Sequence, residues 1–410
     1  MGRSLAVMAP QPTETVDTAT PPPTTVEETG AIARIREYLE REQPATPCLV
    51  IDLQTIRERH AELTAAFPGA KLYYAVKANP AREVVRLLVE LGAHFDVASP
   101  PEIDLCLAEG ARPERISYGN TIKKRADIGY AFERGVRLFT TDSEADLAAI
   151  AEMAPGAAVF CRIMLADTGS LTPFGHKFGC APELATRLLA RAPVLGLTAA
   201  GVSFHVGSQQ LDPRAWDAAI EQAGEITAKL AADGVELSIL NIGGGLPGRY
   251  SRPAPPLADF AAAINASVAE HFPAPPQLVL EPGRFLVSDA GLLRSEVVLV
   301  SRKSTVDEMR WVYLDVGRYN GLAETENEYI TYLLSTPGQE ESIRDGATGP
   351  VYLAGPTCDG DDVLYQRNVY RMPLDLRAGD HVDFLNTGAY TASYSSIAFN
   401  GFAPLPTFCR

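Results

Sequence analysis

Tyr73-Tyr74-Ala75-Val76-Lys77-Ala78-Asn79-Pro80 is an apolar, strand-like run that ends in a single amine. Residues 48–53 form a similar run before it. Further runs follow at 94–99, 116–120, 138–143, 159–165, 201–207, 237–242 and 277–287. Amphipathic stretches such as 102–109 and 146–153 separate most of them and read as helices. Another, 213–232, follows the seventh run, with Asp212 as its N-cap and Pro213 at the first helical position. Strand–helix repeats imply a parallel sheet. Eight or nine strands across 48–287 fit a closed (β/α)8 barrel, with an open doubly wound α/β sheet as runner-up.

The rhythm changes after Val287. Strand-like runs at 295–304, 309–316, 351–354 and 381–385 lack matching helices, and Asp375-Leu376-Arg377-Ala378-Gly379-Asp380 reads as a turn entering the last of them. Residues 288–410 are therefore expected to form a second, mostly β domain. Ile32, Ile35, Tyr38 and Leu39 share one helical face, and residues 31–47 are expected to pack with that domain. Residues 1–30 hold seven Thr and five Pro and read as a disordered tail.

In a parallel barrel, polar residues at the C-terminal strand ends converge on one mouth. Here these are Lys77, Asp96, Ser99, Asn120, Arg162, His205, the glycines of Asn241-Ile242-Gly243-Gly244-Gly245, Glu281 and Arg284. A lysine leaving a buried strand is costly unless its charge is paired or chemically used. One use is a Schiff base with an aldehyde. Residues 243–248 satisfy GxGxxG, but they lie far from any chain-opening βαβ unit and Pro247 interrupts the helix such a motif would open. A phosphate cradle of exposed backbone N–H groups is the better reading. His205 alone reads as a core histidine. With Gly207 and Ser208 after it, its ring can stack on a cofactor while Ser208 donates to a phosphate. No second His or Cys stands at metal-ligand spacing. Glu281 and Arg284 suit a protonated pyridine nitrogen and a phosphate, with a rim ion pair as the plainer reading. Together they describe a site for a phosphorylated aromatic aldehyde.

The formal net charge of −15 and pI of about 4.9 argue against nucleic acid and anionic lipid as partners and favour small cations. No apolar run is long enough to span a bilayer, and residues 5–9 are too short for a signal peptide's apolar region. Six scattered cysteines without a CxxC pair predict reduced thiols and a cytoplasmic location. Cys358 stands apart in the polar loop Gly355-Pro356-Thr357-Cys358-Asp359-Gly360-Asp361-Asp362. The acids of that loop lack the spacing of a calcium loop. Glu324, Glu326 and Glu328 read as a solvated charge run, one member of which is available to a substrate amine.

YYAVKANP, SYGNTIKK, FHVGSQ, GGG, LEPGR, GPTCD and GAYT occur in this order. The ordered set resembles the pyridoxal-phosphate-dependent ornithine/lysine/diaminopimelate decarboxylase family, with the likeness running from about residue 35 to the C-terminus and nearest to bacterial ornithine decarboxylases of the barrel type. The resemblance implies pyridoxal 5'-phosphate as cofactor and Lys77 as the Schiff-base lysine. It makes His205 the ring-stacking residue and Glu281 the partner of the pyridine nitrogen. Ser208, Gly244, Gly245, Gly283, Arg284 and Tyr390 fall in the phosphate shell. Asp96, Glu102, Arg162 and Lys177 match positions that orient Lys77 and its surroundings. Cys358 matches the proton donor, and Asp359, Glu328 and Tyr390 fall at substrate-binding positions. The family works as a head-to-tail homodimer in which residues matching Cys358 and Asp359 enter the neighbour's site.

In the diaminopimelate branch a Glu usually follows that Cys. Asp359 stands here, which favours a substrate ending in an ammonium group, L-ornithine first and L-lysine second. The stretch 167–174 reads as an insertion near a strand end. Two other readings remain. A barrel-type racemase usually sets an arginine at the pyridine nitrogen, against which Glu281 argues. A non-catalytic regulatory homologue typically loses the lysine or the cysteine, and both stand here.

Overall fold

The computed structural model describes residues 29–165, 169–171 and 177–410. Residues 1–28 of the expected tail, most of the 167–174 insertion, and His176 lie outside the described residues. The first strand, β1 (Cys48–Ile51), is followed by eight parallel strands that close on themselves in chain order. These are β2 (Lys71–Ala75), β3 (His94–Val97), β4 (Ile116–Tyr118), β5 (Leu138–Thr141), β6 (Ala158–Arg162), β7 (Thr198–Ser203), β8 (Ile239–Asn241) and β9 (Gln277–Leu280). The ring shuts where Lys71 and Leu72 pair with Val279 and Leu280. Helices pack outside it through apolar stripes. Arg82–Glu90 buries Val84, Val85, Leu87 and Leu88, each worth roughly 1.5–3 kcal/mol on leaving water. The closed ring settles the barrel over the open sheet.

The second domain is a curled sheet of β10 (Gly291–Ser301), β11 (Arg310–Leu314), β12 (Leu333–Ser335), β13 (Thr348–Ala354), β14 (Val363–Pro373), β15 (His381–Leu385) and β16 (Thr407–Cys409). Its path runs β12-β15-β10-β11-β13-β14. β10 pairs with β15 over Leu292–Glu296 and with β11 from Val297 onward, with a register shift at Val297/Leu299 inside the second pairing.

One boundary differs from expectation. The run at 48–51 belongs to the second sheet, not to the barrel. It pairs antiparallel with β10, Cys48 opposite Arg294, and parallel with β16, Leu49 opposite Thr407. All four of its residues are buried. A strand buried on both faces shows no alternation to say which sheet holds it. The helix Gly30–Glu42 lies over it, burying Ile32, Ile35 and Leu39 against Val50, Leu292 and Leu385. A second difference is the helix expected from residue 213, which runs Asp217–Ala232. Asp212 accepts from the Arg214 N–H and so forms a local turn. That turn delivers Trp216, which is 1 % exposed, onto the Phe260 ring with its indole N–H donating to the Ile242 carbonyl. No helix among the described residues is long and apolar enough to cross a membrane.

Candidate active site

Parallel strands bring their C-terminal ends to one mouth. Lys77 stands in the single turn Val76–Ala78 just after β2, Asp96 lies within β3, and Arg162 ends β6. His205 follows β7, Gly244 and Gly245 follow β8, and Glu281 follows β9. Lys77, Asp96, His205, Ser208, Gly244, Gly245, Glu281, Gly283, Arg284 and Tyr390 line one pocket, together with Ala75 and Leu246. A larger cavity of about 670 Å³ lies elsewhere, against the helix Gly30–Glu42. Its Arg59 and Arg249 both bind Asp289, and none of the strand-end groups reaches it.

Half of the Lys77 side chain is accessible, where it lines the pocket. Its Nζ is 3.7 Å from Asp96 Oδ2. Burial works against the ammonium, but Asp96, Tyr390 and Glu281 outweigh it and hold the amine above the ordinary lysine value. For Asp96 burial prevails, with Glu281 adding, and the carboxyl is pushed well up. Burial also raises Glu102, which accepts from the Ala98 N–H at 2.7 Å. Asp96 and Glu102 thus lie near two cations, Lys77 and Arg162, and burial is the largest influence on both acids. Among the described residues, buried Asp96 Oδ1 has no hydrogen-bond partner.

His205 is held neutral, first by burial and then by Arg162 and Lys77. Its Nδ1 accepts from the Gly207 N–H at 3.0 Å, so the ring proton sits on Nε2. Glu281 is oriented from the side, where Asn241 Nδ2 donates to its Oε1 at 2.5 Å while Asn241 Oδ1 accepts from the Gly243 N–H. A Cβ on Gly244 would stand 2.7 Å from the Glu281 carbonyl oxygen and 3.1 Å from His205 Nε2. Only glycine leaves that concavity open. Arg284 donates to Ser208 Oγ through Nε at 3.3 Å and Nη2 at 3.1 Å, and to Tyr250 Oη through Nη1 at 2.9 Å. Tyr390 comes from the second domain. Its N–H donates to the Ala78 carbonyl at 2.8 Å, and its ring lies 4.9 Å from the Arg284 guanidinium.

Cys358, Asp359 and Glu328 stand outside this pocket. Cys358 is exposed and brackets Asn400, its N–H donating to Oδ1 while Nδ2 donates to its Sγ at 3.4 Å. Asp359 shares its loop, which is pinned by buried Asp362 accepting from Thr357 and Arg318. Glu328 is otherwise employed. Its carboxylate accepts from the N–H groups of Gln366, Arg367 and Asn368 and from Asn368 Nδ2, which leaves it no free face for a substrate amine. Glu328→Ala should lower stability by about 2–4 kcal/mol, since several backbone donors lose their acceptor together, with KM unchanged. Denaturant titration beside steady-state kinetics checks this. Arg162 and Lys177 do not line the pocket either, and both cations lie over the Phe178 ring.

Sequence reasoning missed Asn241, Tyr250 and Glu324 as site members. Asn241 carried the same signal as the others, a polar residue ending an apolar strand. Glu324 was hidden among acids, although it grips Arg284.

Residues 53–288 match the profile of the family described as pyridoxal-dependent decarboxylase, pyridoxal binding domain. Lysine/ornithine decarboxylase of Selenomonas ruminantium is 35 % identical over 363 residues, covering 88 % of this chain and 89 % of that protein. Antizyme inhibitor 2 of Xenopus laevis is also 35 % identical, over 371 residues, covering 87 % of this chain and 79 % of its own. The structure of Vibrio vulnificus lysine/ornithine decarboxylase complexed with putrescine superposes with a TM-score of 0.82 at 30 % identity, covering 93 % of this chain and 99 % of that one. The pocket fits pyridoxal 5'-phosphate: an amine for its aldehyde, a carboxylate for its ring nitrogen, and a glycine cradle beside an arginine for its phosphate. On the profile match and on these likenesses, the chain belongs to the pyridoxal-dependent decarboxylases.

Proposed function

We propose that the chain decarboxylates a basic L-amino acid, L-ornithine to putrescine and CO2, with L-lysine to cadaverine as a second reaction. The observation that carries the reading is the convergence of Lys77, His205, Glu281 and Arg284 on one pocket, from the ends of three different strands, β2, β7 and β9. When bound, pyridoxal phosphate supplies an electron-withdrawing ring that stabilises the charge left at Cα by departing CO2. Lys77 Nζ would hold the cofactor's aldehyde carbon and afterwards carry protons to and from the substrate amine. Glu281, with Oε1 occupied by Asn241, would offer Oε2 to the pyridine nitrogen. The neutral His205 ring would lie against the cofactor ring. Ser208, Arg284, Tyr390 and the N–H groups about Gly244 and Gly245 would bind the phosphate.

The protein is read as a homodimer with shared sites and as cytoplasmic. An exposed Cys358 beside Asp359, neither lining the pocket of its own chain, supports a site completed by a second copy. There Cys358 Sγ would protonate Cα and Asp359 would bind the distal ammonium. Six free thiols support a reducing compartment. The likeness to antizyme inhibitor 2 favours a second reading, a chain that acts by binding another protein. CO2 release should be measured with L-ornithine, L-lysine, L-arginine and meso-diaminopimelate. Release from ornithine and lysine is expected. The loaded protein releasing CO2 from none of them would leave the binding role.

A further inference from the structure

Arg284 is buried and its charge already has a partner. Nη1 donates to Glu324 Oε2 at 2.7 Å and Nη2 to Oε1 at 2.5 Å. The two side chains are 4 % and 11 % exposed. Ser208 and Arg284 line the strand-end pocket and Glu324 does not. The carboxylate therefore holds the Nη1/Nη2 edge from behind, leaving the Nε/Nη2 edge, beside Ser208, toward the pocket. Glu324 stands in the turn Ala323–Glu328 of the second domain, whereas Arg284 belongs to the barrel side.

We propose that Glu324 is the resident counter-ion of Arg284: it stabilises the cofactor-free chain and, by its charge, weakens the pocket's hold on a phosphate ester. The inference rests on the reading of this pocket as the phosphate end of the pyridoxal phosphate site. A guanidinium enclosed by protein without a counter-charge is strongly unfavourable. With Glu324 in place, an arriving phosphate dianion meets a neutral pair instead of a bare cation. Its hold then falls to directional donors, the Ser208 hydroxyl and the backbone N–H groups around Gly244 and Gly245. Repulsion between two buried anions on one arginine exceeds what a lost brace would remove, because charges a few ångströms apart interact strongly at low effective dielectric. A brace that merely oriented Arg284 would behave oppositely, since its removal would lower stability and phosphate affinity together.

The sign of the affinity change separates the two. The full-length Glu324→Gln chain, stripped of pyridoxal phosphate, is melted and then titrated calorimetrically with inorganic phosphate and with pyridoxal phosphate, beside the wild type. The melting temperature without ligand is expected to fall, while both ligands bind about tenfold or more tightly. Equal or weaker binding overturns the proposal. Should Glu324→Gln be unfolded without ligand, inorganic phosphate must restore it, because ligand binding to the folded state is itself stabilising. A variant that stays unfolded in phosphate also overturns it. Failure of the wild type to take up pyridoxal phosphate would sink the functional reading instead, and the inorganic phosphate comparison would still decide the role of Glu324.

Discussion

Lys77→Ala should lose CO2 release from L-ornithine by on the order of 10³-fold or more. A positioned acid–base group alone contributes roughly 10²–10⁴-fold, and Lys77 is also, among the described residues, the only amine lining the pocket. Its Nζ lies 3.7 Å from Asp96 Oδ2 and its side chain is half accessible. Removing it leaves Asp96, already displaced toward its neutral form by burial, free to take a proton. The fold should therefore survive, with stability within about 1 kcal/mol of the wild type. Borohydride treatment of the loaded protein should fix the cofactor to the wild-type peptide carrying Lys77 and to no peptide of the variant. Turnover within tenfold of the wild type would remove the amine from the mechanism.

The second large effect is a recovery. Lys77→Ala and Cys358→Ala should each be nearly inactive alone, yet a mixture allowed to exchange subunits should regain activity. Cys358 is exposed, held by Asn400 outside its own pocket, and on the proposed shared site it would act on another chain. In a two-fold dimer each site takes its amine from one copy and its thiol from the other. Equal mixing makes half the dimers hybrid, and each hybrid has one site with both groups. About 25 % of wild-type activity is then the ceiling for free exchange between two-fold dimers. A mixture no more active than the sum of its parts, with exchange verified by mass, would place both groups on one chain.

The barrel was legible because its strands alternate with amphipathic helices and because polar residues interrupt apolar runs at the strand ends. That rule found Lys77, Asp96, His205, Glu281 and Arg284 from the sequence alone. It gave no purchase on the run at 48–51, whose four residues are buried whichever sheet takes them. It also passed over β12, β14 and β16. Two of these are three residues long, and β14 has charged and polar residues, Gln366, Arg367 and Asn368, through its middle. Glu328 and Glu324 were indistinguishable in a run of acids. What tells them apart is the backbone. Glu328 sits at a left-handed φ of 56° that turns it toward Gln366, while Glu324 meets the barrel's arginine. Such differences depend on contacts between segments distant in sequence, which periodicity does not encode.

The placement of β1 bears on how the chain is made. Residues 48–51 leave the ribosome early, but the strands that flank them, β10 and β16, are translated only after the whole barrel has emerged. The segment must wait without a partner while eight parallel strands find one another, a slow step because their contacts are non-local. An apolar strand kept waiting is a hazard for misassembly. The helix Gly30–Glu42, directly upstream and packed on it in the folded chain, is, among the described residues, a neighbour able to shield it during that interval.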